Sequence, residues 1–393
     1  MVTAELKQRY EDYILPTYAR FDAGFARGEG ATLYDEAGRA YIDFASGIGV
    51  NSVGHAHPQW VKAVSEQAAA LAHVSNLYYT GPGAALAERL CKLSGLEKVF
   101  FANSGAEANE GVIKCVRKYS WDKFGKERYT ILTLYDSFHG RTISTLSATG
   151  QDVFHRHFHP FTEGFRHIPA GNVSALEREL VKGDVCAVMI ELIQGEGGVL
   201  PLGANYVEEI AALCAENDIL LCVDEVQTGI GRTGTWFAFQ QYGICPDIVS
   251  FAKGIGGGLP MGGFLTGPRA SGVLTPGTHA TTFGGTPLCA AAALATLDIL
   301  EPVLGDVNRK GRRIRAALDK AAPKALKGVR GTGLMLGLSV EGPPRGYAEQ
   351  ALEKGLVVLT AGKDALRLMP PLTISDAELK QGLNILIEVL NTQ

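Results

Sequence analysis

No Cys-x-x-Cys pair occurs in this 393-residue chain. Its seven cysteines (Cys91, Cys115, Cys186, Cys214, Cys222, Cys245 and Cys289) are odd in number and widely spaced. That excludes a disulfide framework and a thiolate zinc site. Most sit in apolar segments and read as small core residues. A basic excess is also missing: 37 Lys and Arg against 41 Asp and Glu leave a net charge of −4. This argues against a nucleic acid or an anionic membrane as partner. There is no block of like charges and no unbroken apolar stretch of the secretory kind among the first twenty residues. No uninterrupted apolar run is long enough to span a bilayer; the Ala-rich stretch 288–300 is short and contains Asp298. A GxxxxGK[ST] loop is absent, so the acidic run ending at Glu225 has no nucleotide-phosphate partner. What remains is the composition of a soluble, cytoplasmic globular enzyme, 46% hydrophobic and 20% charged, long enough for about two or three structural units.

Residues 31–34 and 39–44 alternate apolar and polar around Asp35-Glu36-Ala37-Gly38, which predicts a β-hairpin. From Pro58, a suitable first helical position, the pattern becomes α/β. Strand-like runs lie at 98–102, 130–134, 185–190, 219–223, 248–252 and 263–266, and helical stretches near 83–93, 106–119, 174–181 and 205–217. Such alternation predicts an α/β fold with a mostly parallel sheet covered on both faces. After about residue 290 come two helices, short strands at 334–340, 356–360 and 365–369, and a last helix opened by the capping box Ser375-Asp376-Ala377-Glu378. The expected organisation is an N-terminal segment 1–50 that joins a C-terminal small α+β domain 294–393, and a large domain 51–293.

Two strand ends carry charge. Lys253 follows Ile248-Val249-Ser250-Phe251-Ala252 and precedes a glycine-rich stretch, and Asp224 ends Ile219-Leu220-Leu221-Cys222-Val223. Burial disfavours a lysine's ammonium form, giving an amine able to condense with an aldehyde. With an acid partner for a pyridinium nitrogen, the pair suggests pyridoxal phosphate. A snorkelling lysine and a helix-capping aspartate account for these two residues alone equally well. Ser104-Gly105-Ala106-Glu107, between a strand and a helix, fits a phosphate cup, although on this stretch alone an ordinary N-cap serine is the better expectation. Gly229, Gly231 and Gly234 form a GxGxxG pattern, the basis of a rival reading as a nicotinamide-dependent oxidoreductase. Five residues separate Val223 from Gly229, however, and an aromatic stretch follows where a helix should open. His155, His157 and His159 alternate, which invites a metal, but no carboxylate or thiol nearby completes a ligand set; a surface or interface strand is the better expectation.

The ordered motifs Asn103-Ser104-Gly105-Ala106-Glu107-Ala108-Asn109, Phe138-His139-Gly140-Arg141, Glu191-Leu192-Ile193-Gln194-Gly195-Glu196-Gly197-Gly198, Asp224-Glu225-Val226-Gln227, Lys253-Gly254 and Thr281-Thr282-Phe283-Gly284-Gly285 together resemble the class III (subgroup II) pyridoxal-phosphate aminotransferases. The resemblance runs from about residue 29 to the C-terminus. The Gln194–Gly198 and Leu366–Leu372 stretches look most like the acetylornithine aminotransferase branch. The resemblance implies a fold-type I architecture and a homodimer with shared active sites. It implies pyridoxal 5′-phosphate held through Lys253, with Asp224 at the ring nitrogen, Gln227 at the phenolic oxygen, Phe138 and Val226 on the two ring faces, and His139 and Glu191 close by. Ser104, Gly105 and Ala106 would hold the phosphate, with Thr282 reaching it from the partner subunit.

Two arginines suit a substrate with carboxylates. The resemblance implies Arg141 for the α-carboxylate of an acylated ornithine, Arg367 for that of glutamate, and Glu196 as a switch that neutralises Arg367 in turn. Ser46 and Ile48 fall at the substrate end. Ile48 stands where ornithine δ-aminotransferases commonly carry a tyrosine that reads a free α-amino group, so an aliphatic residue favours a blocked amine or 4-aminobutyrate. The expected activity is transfer of the terminal amine of N2-acetylornithine to 2-oxoglutarate, in arginine biosynthesis. Succinylornithine, 4-aminobutyrate, ornithine or a lysine-pathway precursor are the alternatives with the same chemistry.

Overall fold

The computed structural model describes residues 2–392. Its centre is a seven-stranded sheet in the order Lys98–Ala102, Gly262–Thr266, Ile248–Phe251, Leu220–Asp224, Val185–Ile190, Thr130–Leu134, Phe165–Ile168. Only Gly262–Thr266 runs antiparallel to its neighbours. Val185–Ile190 and Leu220–Asp224 are buried at every position, as parallel strands covered on both faces must be. The register sets Asp224 opposite Ser250, so Asp224 and Lys253 emerge from the carboxyl ends of adjacent parallel strands. Open α/β sheets place their ligands at that edge.

The two ends of the chain build one further sheet together. Arg27–Glu29, Thr32–Tyr34 and Ala40–Asp43 form an antiparallel meander, and Leu356–Val357 adds in parallel to Ala40–Asp43. A third sheet joins Leu326–Thr332, Met335–Val340, Ala365–Leu368 and Leu359–Ala361 in that order. The last helix, Asp376–Asn391, starts with the expected capping box: the Ser375 hydroxyl accepts from the Glu378 N–H, and Glu378 Oε2 accepts from the Ser375 N–H. Glu378 Oε1 also accepts from the Ala31 N–H at 2.9 Å, which fixes this helix to the N-terminal sheet.

After strand Ala365–Leu368 the chain crosses between the sheets through Met369–Leu372. The Met369 N–H donates to Phe44 O (2.7 Å) and the Leu372 N–H to Ser52 O (2.8 Å). Arg232 Nη1 donates to Pro370 O (2.6 Å), and the buried Lys310 ammonium to Leu372 O (3.0 Å).

Several expectations are corrected. The stretch 356–360 is two strands, because the chain changes sheet at Val358. Phe165–Ile168 is an edge strand whose Arg166 and His167 break the apolar pattern; Arg166 is instead bound by Asp184 at 2.7 Å. The helix Ala4–Tyr13 buries no residue and so has no apolar stripe to announce it. Residues 155–159 form turns and loop rather than a strand, and no cluster of potential metal ligands exists among the described residues. No helix opens at Gly234: the loop 229–234 is turn, with Gly231 against Leu372 and Leu304 and Gly234 against Asn308. The dinucleotide reading has no structural support there.

Candidate active site

A cavity of about 460 Å³ opens at the carboxyl edge of the central sheet. It gathers Ser104, Gly105 and Ala106, then Phe138, His139 and Arg141, then Glu191, Asp224, Val226, Gln227 and Lys253, residues that the sequence motifs supply from five separate strand ends.

One end is the start of helix Gly105–Phe124, where Ser104 caps by accepting from the Glu107 N–H at 3.2 Å. Free N–H groups and the helix dipole make this end a seat for an anion. A Cβ on Gly105 would lie 2.7 Å from Val226, so only glycine leaves both the turn and the Val226 side chain in place.

The floor is Asp224, 3% exposed. Its Oδ2 accepts from Asn109 Nδ2 at 2.7 Å and pairs with His139 Nδ1 at 2.8 Å, while Oδ1 accepts from the Val226 N–H at 3.0 Å. Asn109 also donates to His139 O (2.8 Å), closing a three-residue network. Burial opposes protonation of the His139 ring, but the hydrogen bond and charge of Asp224, aided by Glu191, outweigh it and raise its pKa. His139 Nε2 has no partner. Glu191 accepts from the Phe138 N–H at 2.8 Å and the Gly195 N–H at 3.2 Å, and burial first, with the Asp224 charge, pushes its carboxyl up to about 7.

Lys253 has a left-handed backbone (φ 47°), a costly conformation for a residue with a side chain. Its amine makes no hydrogen bond or ion pair among the described residues. Burial lowers its pKa, and the Arg367 charge adds to that, against the opposing charges of Glu196, Asp224 and Glu191.

Behind Gln227, outside the lining, is an ion cluster. Arg367 Nη1 donates to Glu196 Oε1 at 2.6 Å and to Gln227 Oε1 at 3.0 Å, and Gln227 Nε2 lies 3.4 Å from the same Glu196 oxygen. Burial raises the Glu196 pKa, but the Arg367 charge and hydrogen bond, with Lys253, reverse this and hold the carboxyl below its usual range. Arg367 is 2% exposed and its Nε has no partner.

Five expected site residues lie outside the cavity lining: Glu196 and Arg367, which meet it through Gln227, and Ser46, Ile48 and Thr282. Ser46 is fully buried and its hydroxyl donates to Met369 O; it supports the loop and does not line the cavity. Ile48, in a left-handed turn with Gly47 and Gly49, is 44% exposed beyond the lining. Thr282 does not line its own chain's cavity, as a residue that serves another subunit would not. Sequence reasoning missed Asn109 as a partner of Asp224; its place one turn after Gly105 was the available signal. It also missed Tyr18, which with Thr17, Ile143, Leu146 and Phe158 lines a second cavity of about 460 Å³ that shares Arg141 with the first.

The cavity fits pyridoxal 5′-phosphate on its own chemistry: an anion seat, an amine whose pKa burial lowers, and a buried carboxylate with two side-chain partners. The aminotransferase class-III family profile matches residues 16–390. Acetylornithine aminotransferase of Haemophilus ducreyi is 49% identical over the full length of both chains, and that of Caldanaerobacter subterraneus 44% over 100% of this chain and 99% of its own. Among solved structures, N-acetylornithine aminotransferase from Stenotrophomonas maltophilia aligns with a TM-score of 0.84 at 37% identity, covering 97% of each chain. The ornithine aminotransferase of Toxoplasma gondii aligns at 0.95 with 30% identity, covering 99% and 95%.

Proposed function

The chain belongs to the class III aminotransferases, and from that membership we propose that it transfers the terminal amine of N2-acetylornithine to 2-oxoglutarate, giving N-acetylglutamate 5-semialdehyde and glutamate. The observation that carries the substrate assignment is Arg367 held by Glu196 at 2.6 Å while Arg141 has no ion pair among the described residues. Only one arginine then awaits a carboxylate, which suits a donor whose reacting amine lies at the end away from its single carboxylate. The full-length relatives named above support the same substrate.

Pyridoxal 5′-phosphate, the cofactor of this family, supplies an aldehyde for amines and a ring that takes up electrons when a C–H bond of the substrate breaks. Ser104 and the N–H groups of Gly105 and Ala106 would seat the phosphate. Phe138 and Val226 would flank the ring, and Gln227 would face its phenolic oxygen. Asp224, held in place by Asn109 and His139, would face the ring nitrogen and hold a proton there. Lys253, whose pKa burial lowers, would supply the amine that holds the cofactor's aldehyde and would carry the proton taken from the substrate. Arg141 orients the donor's carboxylate. Arg367 takes the acceptor's α-carboxylate once Glu196 swings aside.

Residues 1–50 and 294–393 are read as one small domain against 51–293, and the protein as a cytoplasmic homodimer whose Thr282 completes the partner's phosphate seat. The exposed Leu77, Tyr78, Tyr79 and Phe283 support the dimer. They come from two loops tied by Asn76 Nδ2 to Gly284 O at 2.9 Å and by the His73–Phe283 ring contact.

The deciding measurement is the visible spectrum of purified protein before and after N2-acetylornithine, with no keto acid present. Loss of the yellow band supports the substrate. Bleaching only by 4-aminobutyrate or another amine would keep the aminotransferase and remove the substrate; a protein colourless even after cofactor is added would remove both.

Glu196→Gln gives a second test. Without the anion, Arg367 is permanently available, so donors with a carboxylate near the reacting amine gain relative to acetylornithine. The ratio of kcat/KM for glutamate as donor over acetylornithine is expected to rise about tenfold, equivalent to about 1.4 kcal/mol for a charge-assisted hydrogen bond. An unchanged ratio would take Glu196 out of the selectivity.

A further inference from the structure

Arg141 is exposed, and no hydrogen bond or ion pair among the described residues orients it. A long side chain in that state samples many rotamers, and fixing it on a ligand costs entropy. What does hold it is an aromatic ring. The Arg141 guanidinium carbon lies 3.8 Å from the centroid of Phe154, and 5.3 Å from that of Phe138. The Phe154 ring meets Phe138 edge-on, with centroids 6.0 Å apart and an interplanar angle of 80°.

The segment bearing Phe154 is itself fixed. It is a 3₁₀ turn, Asp152–Phe154, preceded by Gln151, whose side chain donates to Ser137 O at 3.0 Å. The Gly150 N–H donates to Ser137 Oγ (3.1 Å), and His155 Nε2 lies 2.9 Å from Leu146 O. Phe154 is therefore tied to the same loop that presents Phe138.

We propose that Phe154 is a positioning residue: its ring holds the Arg141 guanidinium by a cation–π contact, leaving all its N–H donors free for the carboxylate of the amine donor. A stacked guanidinium keeps its edge open, whereas an ion pair would occupy it. This also explains how Arg141 stays ready with no carboxylate of the protein beside it. The proposal rests on the reading of Arg141 as the donor's carboxylate ligand.

The test compares N2-acetylnorvaline, which has the α-carboxylate but no terminal amine and cannot react, binding to holoenzyme by calorimetry. Phe154→Leu keeps apolar bulk and removes the ring; it is expected to weaken binding about tenfold, between the exposed and desolvated range of cation–π pairs. Phe154→Tyr should bind as wild type. In turnover, Phe154→Leu should raise KM for N2-acetylornithine while leaving kcat little changed. N-acetylputrescine, the same donor without its carboxylate, should not distinguish the variant from wild type. In the double variant with Arg141→Ala, the Phe154 effect should vanish. If Arg141→Ala weakens N2-acetylnorvaline but Phe154→Leu does not, or if Phe154→Leu persists in the Arg141→Ala background, the proposal is overturned. If Arg141→Ala itself has no effect, the reading of Arg141 fails instead.

Discussion

Lys253→Ala is expected to lower kcat by more than about 10⁴-fold, since it removes both a positioned acid–base group and the attachment amine. Two properties set the size of the effect. The amine is unpartnered, and burial with the Arg367 charge favours its neutral form, so at neutral pH more of it is free to attack than for an ordinary lysine. No other lysine lines the cavity, so nothing replaces it. The loss should be chemical and not conformational. Alanine removes an amine whose charged form burial and Arg367 both oppose, and the variant should melt no lower than wild-type apoprotein. Pyridoxal phosphate should still bind non-covalently through the Ser104 seat, and the measurements are single-turnover rates with acetylornithine alongside cofactor content after gel filtration. Retention of more than about one per cent of wild-type turnover would end the assignment of Lys253.

The second large effect is expected at Asp224→Ala, a fall in kcat of about 10³-fold, the upper range for loss of one preorganised electrostatic partner. Asp224 is the acceptor of three donors, and removing it leaves Asn109 Nδ2 with only its bond to His139 O and the buried His139 without its counter-charge. An unfolding cost is therefore expected too, so activity alone does not isolate the role. Asp224→Asn separates them: it keeps the volume and loses the charge, and it should fold better than the alanine variant while remaining as inactive. A cofactor analogue with a fixed positive charge on its ring nitrogen should restore part of the activity to Asp224→Ala but none to Lys253→Ala. Equal failure of the analogue in both variants would assign Asp224 to folding only.

The half of the site that would hold the cofactor was legible in the sequence, because each piece is a strand end followed by a short motif. Ser104 through Ala106, Phe138, Asp224 and Lys253 need no knowledge of which strand neighbours which. The Asn109–His139–Asp224 network does need it: its members are 30 and 85 residues apart, and only the sheet order brings them together. Arg367 meets Glu196 across 171 residues, so the sequence pattern could name both and not their 2.6 Å contact. Ser46 and Ile48 fall outside the cavity lining for a local reason. Non-glycine residues rarely take φ of 47° and 66°, and no propensity rule predicts that turn, which carries Ile48 outward and Ser46 under Met369. In the fold, the misread elements were those ruled by tertiary context: an edge strand with polar residues, a surface helix, and a strand that changes sheets.

The N-terminal meander waits for its fourth strand. Ile42 donates to Gly355 O at 2.8 Å and Phe44 to Val357 O at 2.9 Å, while Phe44 O accepts from Met369. On the ribosome, residues 27–43 emerge long before 355–369, and they keep an open edge and a bare apolar face through most of synthesis. The loop with Ser46, and the strand with Arg367, can therefore settle only after nearly the whole chain has been released. A stalled or prematurely terminated product would have its Lys253 strand and no acceptor arginine, so partial chains should be inert in transamination and dependent on chaperones.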